Sequence, residues 1–169
     1  MTPILTDHAF DLVSHSPAQT LRIGERLGRL LRGGDVVCLQ GALGTGKTCL
    51  TQGIGAGLGV AGVISSPTFV FIEEHPPLAK GPYLYHVDLY RLDDANAILA
   101  LGVEDYLYSD GVTVIEWAER ARDIMPRERL WITLSYLDYT KRSLLFEATG
   151  ARYLELLALL RAELFAAKP

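Results

Sequence analysis

Asp35-Val36-Val37-Cys38-Leu39-Gln40-Gly41-Ala42-Leu43-Gly44-Thr45-Gly46-Lys47-Thr48 is an apolar run that breaks into a glycine-rich turn. Val36 to Leu39 are apolar without alternation, which reads as a strand buried on both faces, Asp35 to Leu39. Gly41 to Thr48 fits G-x-x-x-x-G-K-[ST], and the residues after it, Cys49 to Leu58, continue as a helix. Strand, loop and helix in that order are what phosphate binding requires. Glycines let successive backbone N–H groups converge on one anion, and the helix N-terminus adds its dipole. The cradle comprises Gly41, Ala42, Leu43, Gly44, Thr45, Gly46, Lys47 and Thr48. Lys47 is expected to reach the β- and γ-phosphates, facing solvent, and Thr48 to place its hydroxyl on Mg2+. Gly53, Gly55, Gly57 and Gly59 weaken the helix toward its end.

Outward from this centre, strands and helices alternate. Ser16-Pro17 begins a helix with a capping hydroxyl and a first-turn proline, Ile23, Leu27, Leu30 and Leu31 form its apolar stripe, and Gly33-Gly34 ends it. Phe69 to Glu73, Tyr83 to Val87 and Val112 to Ile115 read as strands, with a helix over Asp93 to Leu101 started by Asp93 or Asp94. Leu130 to Leu137 and Ser143 to Thr149 alternate as a late strand pair, and the tail is an amphipathic helix whose stripe Leu156, Leu157, Leu160 and Leu164 faces the core. The expected fold is α/β: a mostly parallel central sheet with helices on both faces and late antiparallel strands, in one domain over residues 1–169.

Composition bounds the function. The 169 residues carry 16 Lys and Arg against 20 Asp and Glu, a net charge of -4, so no basic balance argues for direct nucleic-acid binding. Cys38 and Cys49 lack metal-ligand spacing and read as packed thiols in a reducing setting. No signal peptide or membrane span is visible, and a cytoplasmic location is expected.

Guanine-reading proteins use Asn-Lys-x-Asp; the single Asn96 is not followed by Lys, which favours adenine. A magnesium site also needs a carboxylate at the end of a neighbouring buried strand. Asp88 closes Tyr83 to Val87 and Glu116 closes Val112 to Ile115; one would serve the metal and the other orient the attacking water. Ser65-Ser66-Pro67-Thr68-Phe69 fits a threonine switch for the γ-phosphate and plain turn chemistry equally well. His86 shares a strand face with Asp88, but nothing else in the sequence completes a metal pair, so His86 is read as packing or hydrogen-bonding Asp88. Arg91 fits a phosphate contact and a surface ion pair alike.

Gly41 to Thr48, Ser66-Pro67-Thr68-Phe69, His86-Val87-Asp88-Leu89-Tyr90-Arg91 and Glu116-Trp117-Ala118-Glu119 occur in an order that resembles the TsaE (YjeE) family. These are small bacterial ATPases needed for threonylcarbamoyl-adenosine modification of tRNA. The resemblance spans nearly the whole chain, including Leu101 to Tyr106 and the late strands. It implies a P-loop NTPase fold and ATP with Mg2+ as ligands. It implies that Lys47 and Thr48 bind phosphate and metal, that Glu116 is the second metal ligand, and that Asp88 positions water. Thr68 would be the switch threonine, and Trp117 would lie beside the nucleotide. Its implied partners are TsaD and TsaB, with tRNA reached indirectly. Two departures stand out: Ala42 replaces a common acidic residue and Thr45 a common alanine.

Two other functions compete with an ATPase subunit. A small-molecule P-loop kinase would need an acceptor pocket and a lid, and the segment near the site long enough to serve, Glu74 to Pro82, carries Lys80 and no Arg. A nucleotide-binding regulator would bind without turnover.

Overall fold

Ser16 adopts an extended conformation and accepts a hydrogen bond from Gln19 N, so α1 begins at Pro17 and runs to Leu30 (Pro17–Leu30). A computed structural model describes residues 2–65 and 71–166, and the elements below lie within them. The apolar run forms β2 (Val36–Gln40), buried over its first four residues, and α2 (Lys47–Leu58) follows the glycine turn. Next come β3 (Ile72–His75), β4 (Leu84–Asp88), α3 (Ala95–Ala100), α4 (Val103–Leu107) and β5 (Val112–Glu116). A 3₁₀ turn over Ala118–Ala121 leads to β6 (Arg129–Tyr136), β7 (Arg142–Thr149) and α5 (Ala151–Phe165). Asp94 caps α3 by accepting from Asn96 N.

Seven strands form one sheet in the order β1-β7-β6-β2-β5-β4-β3, where β1 is Ala9–Ser14. The centre is parallel: β2 pairs with β5 and β6, and β4 with β5. The edges are antiparallel, through β6 with β7, β7 with β1 and β3 with β4. Helices cover both faces, as expected. Ile23 and Leu27 of α1, Leu50 and Ile54 of α2, and Leu156, Leu157 and Leu160 of α5 bury one face. Ile98 of α3, Val103 and Leu107 of α4 and Ala118 close the other over Cys38, Val87 and Ile115. No described helix is long and apolar enough to cross a membrane.

Several features depart from the sequence reading, among them helix α4, which it did not foresee. Strand β1 was not foreseen, because Asp11 and Ser14 interrupt its apolar residues; it exists through pairing with β7, more than 120 positions away, as Ala9 with Glu147. The expected strand Phe69 to Glu73 is placed later, at Ile72–His75, and Phe69 lies outside the described residues. The glycines of α2 have a positive use. A Cβ on Gly53 would strike the Leu21 carbonyl and one on Gly57 the Glu25 carbonyl, while Gly24 and Gly28 of α1 would strike Leu50 and Ile54 carbonyls in return. The two helix backbones therefore pack against each other directly, which fixes α2 over the sheet.

Candidate phosphate-binding site

The site lies at the carboxyl ends of β2, β4 and β5, where open α/β sheets place their ligands. The glycine turn leaves β2 and enters α2 through Gly46, whose φ of 103° in the left-handed region spares the helix N-terminus any side chain. Thr45 turns inward: it is buried, and its hydroxyl donates to the Ala42 carbonyl at 2.8 Å. Its replacement of a common alanine thus braces the loop from within.

Lys47 is 5% exposed, not solvent-facing as its role first suggested. Its Nζ donates to the Gly41 carbonyl at 2.6 Å and the Ala42 carbonyl at 2.9 Å, and lies 4.2 Å from the centre of the Trp117 ring. The reason is its position on the first turn of α2, which folds the side chain back over the loop. Burial holds its pKa below the usual lysine range, opposed by the carboxylates of Glu116, Glu119 and Asp88.

Glu116, at the end of β5, is 2% exposed. Oε2 accepts from the Thr48 hydroxyl at 3.1 Å, and Oε1 lies 3.4 Å from the Thr51 hydroxyl and 3.0 Å from His86 Nε2. The structure thereby joins Thr48 and Glu116, the two residues expected at the metal. His86 does bond a strand-end carboxylate, but the partner is Glu116 on the next strand, across the parallel β4–β5 register. Spacing along one strand exposed the shared face with Asp88 and said nothing of that cross-strand neighbour. Thr51 was missed too, although its place one turn beyond Lys47 puts it on the same helix face.

Asp88 sits opposite Glu116 in the β4–β5 ladder, is 5% exposed, and accepts from Tyr90 N at 2.9 Å. Trp117 has φ 61°, the positive value of a non-glycine residue among those described, and packs at 5.0 Å against Tyr90. A cleft of about 330 Å³ opens over Lys47, Thr48, Asp88, Glu116 and Trp117, with exposed Arg91 at its rim. A second cleft of about 810 Å³ shares Gly44, Gly46 and Cys49 with it and is lined by Tyr136, Tyr139 and Arg142 of the β6–β7 hairpin. Tyr136 is tied to the loop, its hydroxyl donating to the Leu43 carbonyl at 2.5 Å. Those hairpin residues carried no signal in the sequence; the register of β6 beside β2 brings them there.

Other expectations fall elsewhere. Ser66 to Phe69, with Thr68, lies outside the described residues. Trp131 is nearer than expected, its indole N–H donating at 2.9 Å to Gln40, the residue before Gly41. The segment considered as a lid begins in β3 with Glu74 and His75, and its middle is remote: Leu78 N donates to Gly59 O at 2.9 Å, beyond the C-terminal end of α2, about 18 Å along that helix from Lys47. Cys38 is buried, which pushes its thiol pKa up to about 12, and Cys49 Sγ donates to Pro17 O at 3.3 Å.

The donor set suits a metal–polyphosphate ligand. The charges of Glu116, Glu119 and Asp88 all act on the Lys47 ammonium, so a polyphosphate alone would meet an excess of negative charge. A divalent cation bound through the hard oxygens of Thr48 and Glu116 would offset it.

Residues 14–144 match the family model described as threonylcarbamoyl adenosine biosynthesis protein TsaE. The Bacillus subtilis tRNA threonylcarbamoyladenosine biosynthesis protein TsaE is 36% identical over 82% of this chain and 85% of its own length. The Treponema pallidum protein of the same name is 43% identical over 74% and 90%, and that of Streptomyces coelicolor 48% over 64% and 73%. The crystal structure of Bacillus subtilis YdiB superposes with a TM-score of 0.78 and 31% identity, covering 92% of this chain and 95% of that one.

Proposed function

The chain belongs to the TsaE family of threonylcarbamoyl adenosine biosynthesis proteins, and from that premise we propose that it is a magnesium-dependent ATPase subunit acting with TsaD and TsaB in tRNA modification. The observation that carries the reading is the Thr48–Glu116 contact of 3.1 Å beside a glycine cradle at a helix N-terminus. Mg2+ held there would supply positive charge to offset that of the phosphates. Lys47, already turned over the loop, takes the phosphates in place of the Gly41 and Ala42 carbonyls. Thr48 and Glu116 would hold the metal, and His86 holds Glu116 in place. Asp88, fixed by Tyr90 N, orients the attacking water. Trp117 packs over Lys47 and screens that side of the cleft. Thr68 is assigned to the γ-phosphate switch from its motif alone.

A kinase is the weaker reading, since Leu78, in the middle of the lid segment, lies at the far end of α2 from Lys47. The deciding experiment is steady-state phosphate release from ATP by the purified chain, with and without TsaB and TsaD. Slow release, accelerated by the partners and dependent on Mg2+, supports the assignment. Rapid turnover unaffected by those partners, or transfer of phosphate to a small acceptor, overturns it.

A further inference from the structure

Strands β3 and β4 bring a second set of side chains together on the same sheet face. Glu73 stands directly opposite His86 in their antiparallel register, and His75, two residues on, shares the face of Glu73. Glu73, His75 and His86 each offer a ligand atom, and the three atoms lie within 4.8 Å of one another. The hydrogen bonds around them assign both tautomers. His75 Nδ1 is 3.2 Å from the Ala61 carbonyl, which only accepts, so Nδ1 carries a proton and, in the neutral ring, Nε2 offers the lone pair. His86 Nε2 is 3.0 Å from Glu116 Oε1, a carboxylate oxygen, so its proton is on Nε2 and Nδ1 keeps the lone pair. Those two open nitrogens, His75 Nε2 and His86 Nδ1, are buried and have no hydrogen-bond partner. The His75 side chain is 9% exposed and that of His86 0%, and a Glu73 carboxylate oxygen stands 3.4 Å from His75 Nε2.

A buried polar atom left unpaired costs about 1–3 kcal/mol. Each histidine has its outer nitrogen anchored to an oxygen and its other nitrogen open, the arrangement by which proteins orient imidazoles toward a metal. We propose that Glu73, His75 and His86 form a binding site for a divalent transition-metal ion, with Zn2+ the best match to two imidazoles and one carboxylate. Tetrahedral zinc needs donors about 3.3 Å apart, a closure that the 28%-exposed Glu73 side chain has room to make. The ion would tie edge strand β3 to β4. Through His86 it would also stiffen the hold on Glu116, without depending on the nucleotide assignment.

The test uses untagged full-length protein, stripped with a chelator and dialysed against Zn2+ in excess Mg2+, with bound metal counted by elemental analysis. One equivalent of Zn2+ per chain is expected, and Co2+ in its place should show the visible absorption of a low-coordinate imidazole site. His75→Ala and Glu73→Gln each remove one of three ligands and should each lose the retained Zn2+ equivalent. His15→Ala, at an exposed histidine outside the cluster, should leave it unchanged. Circular dichroism of metal-free His75→Ala separates loss of fold from loss of ligand; if it does not fold, Glu73→Gln carries the test alone. Absence of a retained equivalent in the wild type, or full retention by Glu73→Gln, overturns the proposal.

Discussion

Glu116 accepts from the Thr48 hydroxyl and from His86 while only 2% exposed, so a variant there does two things at once. Truncation to Ala would strand buried donors at about 1–3 kcal/mol each, whereas Glu116→Gln keeps the shape and removes the charge. Glu116→Gln should bind ATP with a blunted response to magnesium. Asp88→Asn keeps an oxygen for Tyr90 N and should bind normally while releasing no phosphate. Calorimetry across a magnesium titration, run beside a phosphate assay, reads both; a lost metal response in Asp88→Asn would mean that the two roles are exchanged. Lys47→Ala should lower ATP affinity by about a hundredfold, the worth of one or two charge-assisted hydrogen bonds, and near-native affinity would defeat the phosphate assignment. Trp117, 4.2 Å from Lys47 Nζ, should change its fluorescence when ATP binds. Trp131 bonds Gln40 beside the loop and will contribute to the signal, so the measurement belongs in Trp131→Phe. A flat response in that variant places Trp117 away from the ligand.

Helices α1 and α2 are the elements on which the site's precision rests. Gly24 and Gly28 face Gly53 and Gly57 with no room for a side chain between the backbones. Gly53→Ala improves intrinsic helix propensity by about 1 kcal/mol, yet must push apart two helices whose backbone atoms already touch. Overpacking of this kind costs about 1–3 kcal/mol, and the net result should be a loss of stability with ATP binding weakened as α2 shifts. Chemical denaturation measures the first effect and calorimetry the second. A more stable Gly53→Ala would show that propensity governs α2 and that close packing does not. The same glycines look like helix weakeners along the sequence, because propensity is a local quantity and the partner helix is invisible there.

At the scale of the molecule, the residues proposed to act on ATP come from two strand ends, Asp88 and Glu116, and one helix start, Lys47 and Thr48, with Arg91 at the cleft rim. An arginine supplied in trans accelerates phosphoryl transfer by about 10³–10⁵ in systems that use one. Slow hydrolysis by the chain alone and marked acceleration by TsaB with TsaD are therefore expected. Thr68→Ala should uncouple ATP from partner docking more than it weakens ATP binding. Co-elution with the partners in a non-hydrolysable ATP analogue and in ADP tests this. Equal docking of Thr68→Ala and wild type in the analogue would remove the threonine from the switch.

The amino-acid sequence alone determined the glycine cradle, the parallel strands around it, the two strand-end carboxylates and the family. Each of these is written in contiguous residues: a buried run, a turn that only glycine accommodates, a charge where a strand stops. Tertiary structure decided what depends on neighbours distant in the chain. Strand β1 exists because β7 offers it a ladder, and the β6–β7 hairpin reaches the loop because β6 pairs with β2. His86 serves Glu116, not Asp88, because parallel pairing sets β5 beside β4. Glu73 and His75 approach His86 only through the antiparallel β3–β4 register. Pairing register is fixed by packing across the whole sheet, so no window of sequence contains it.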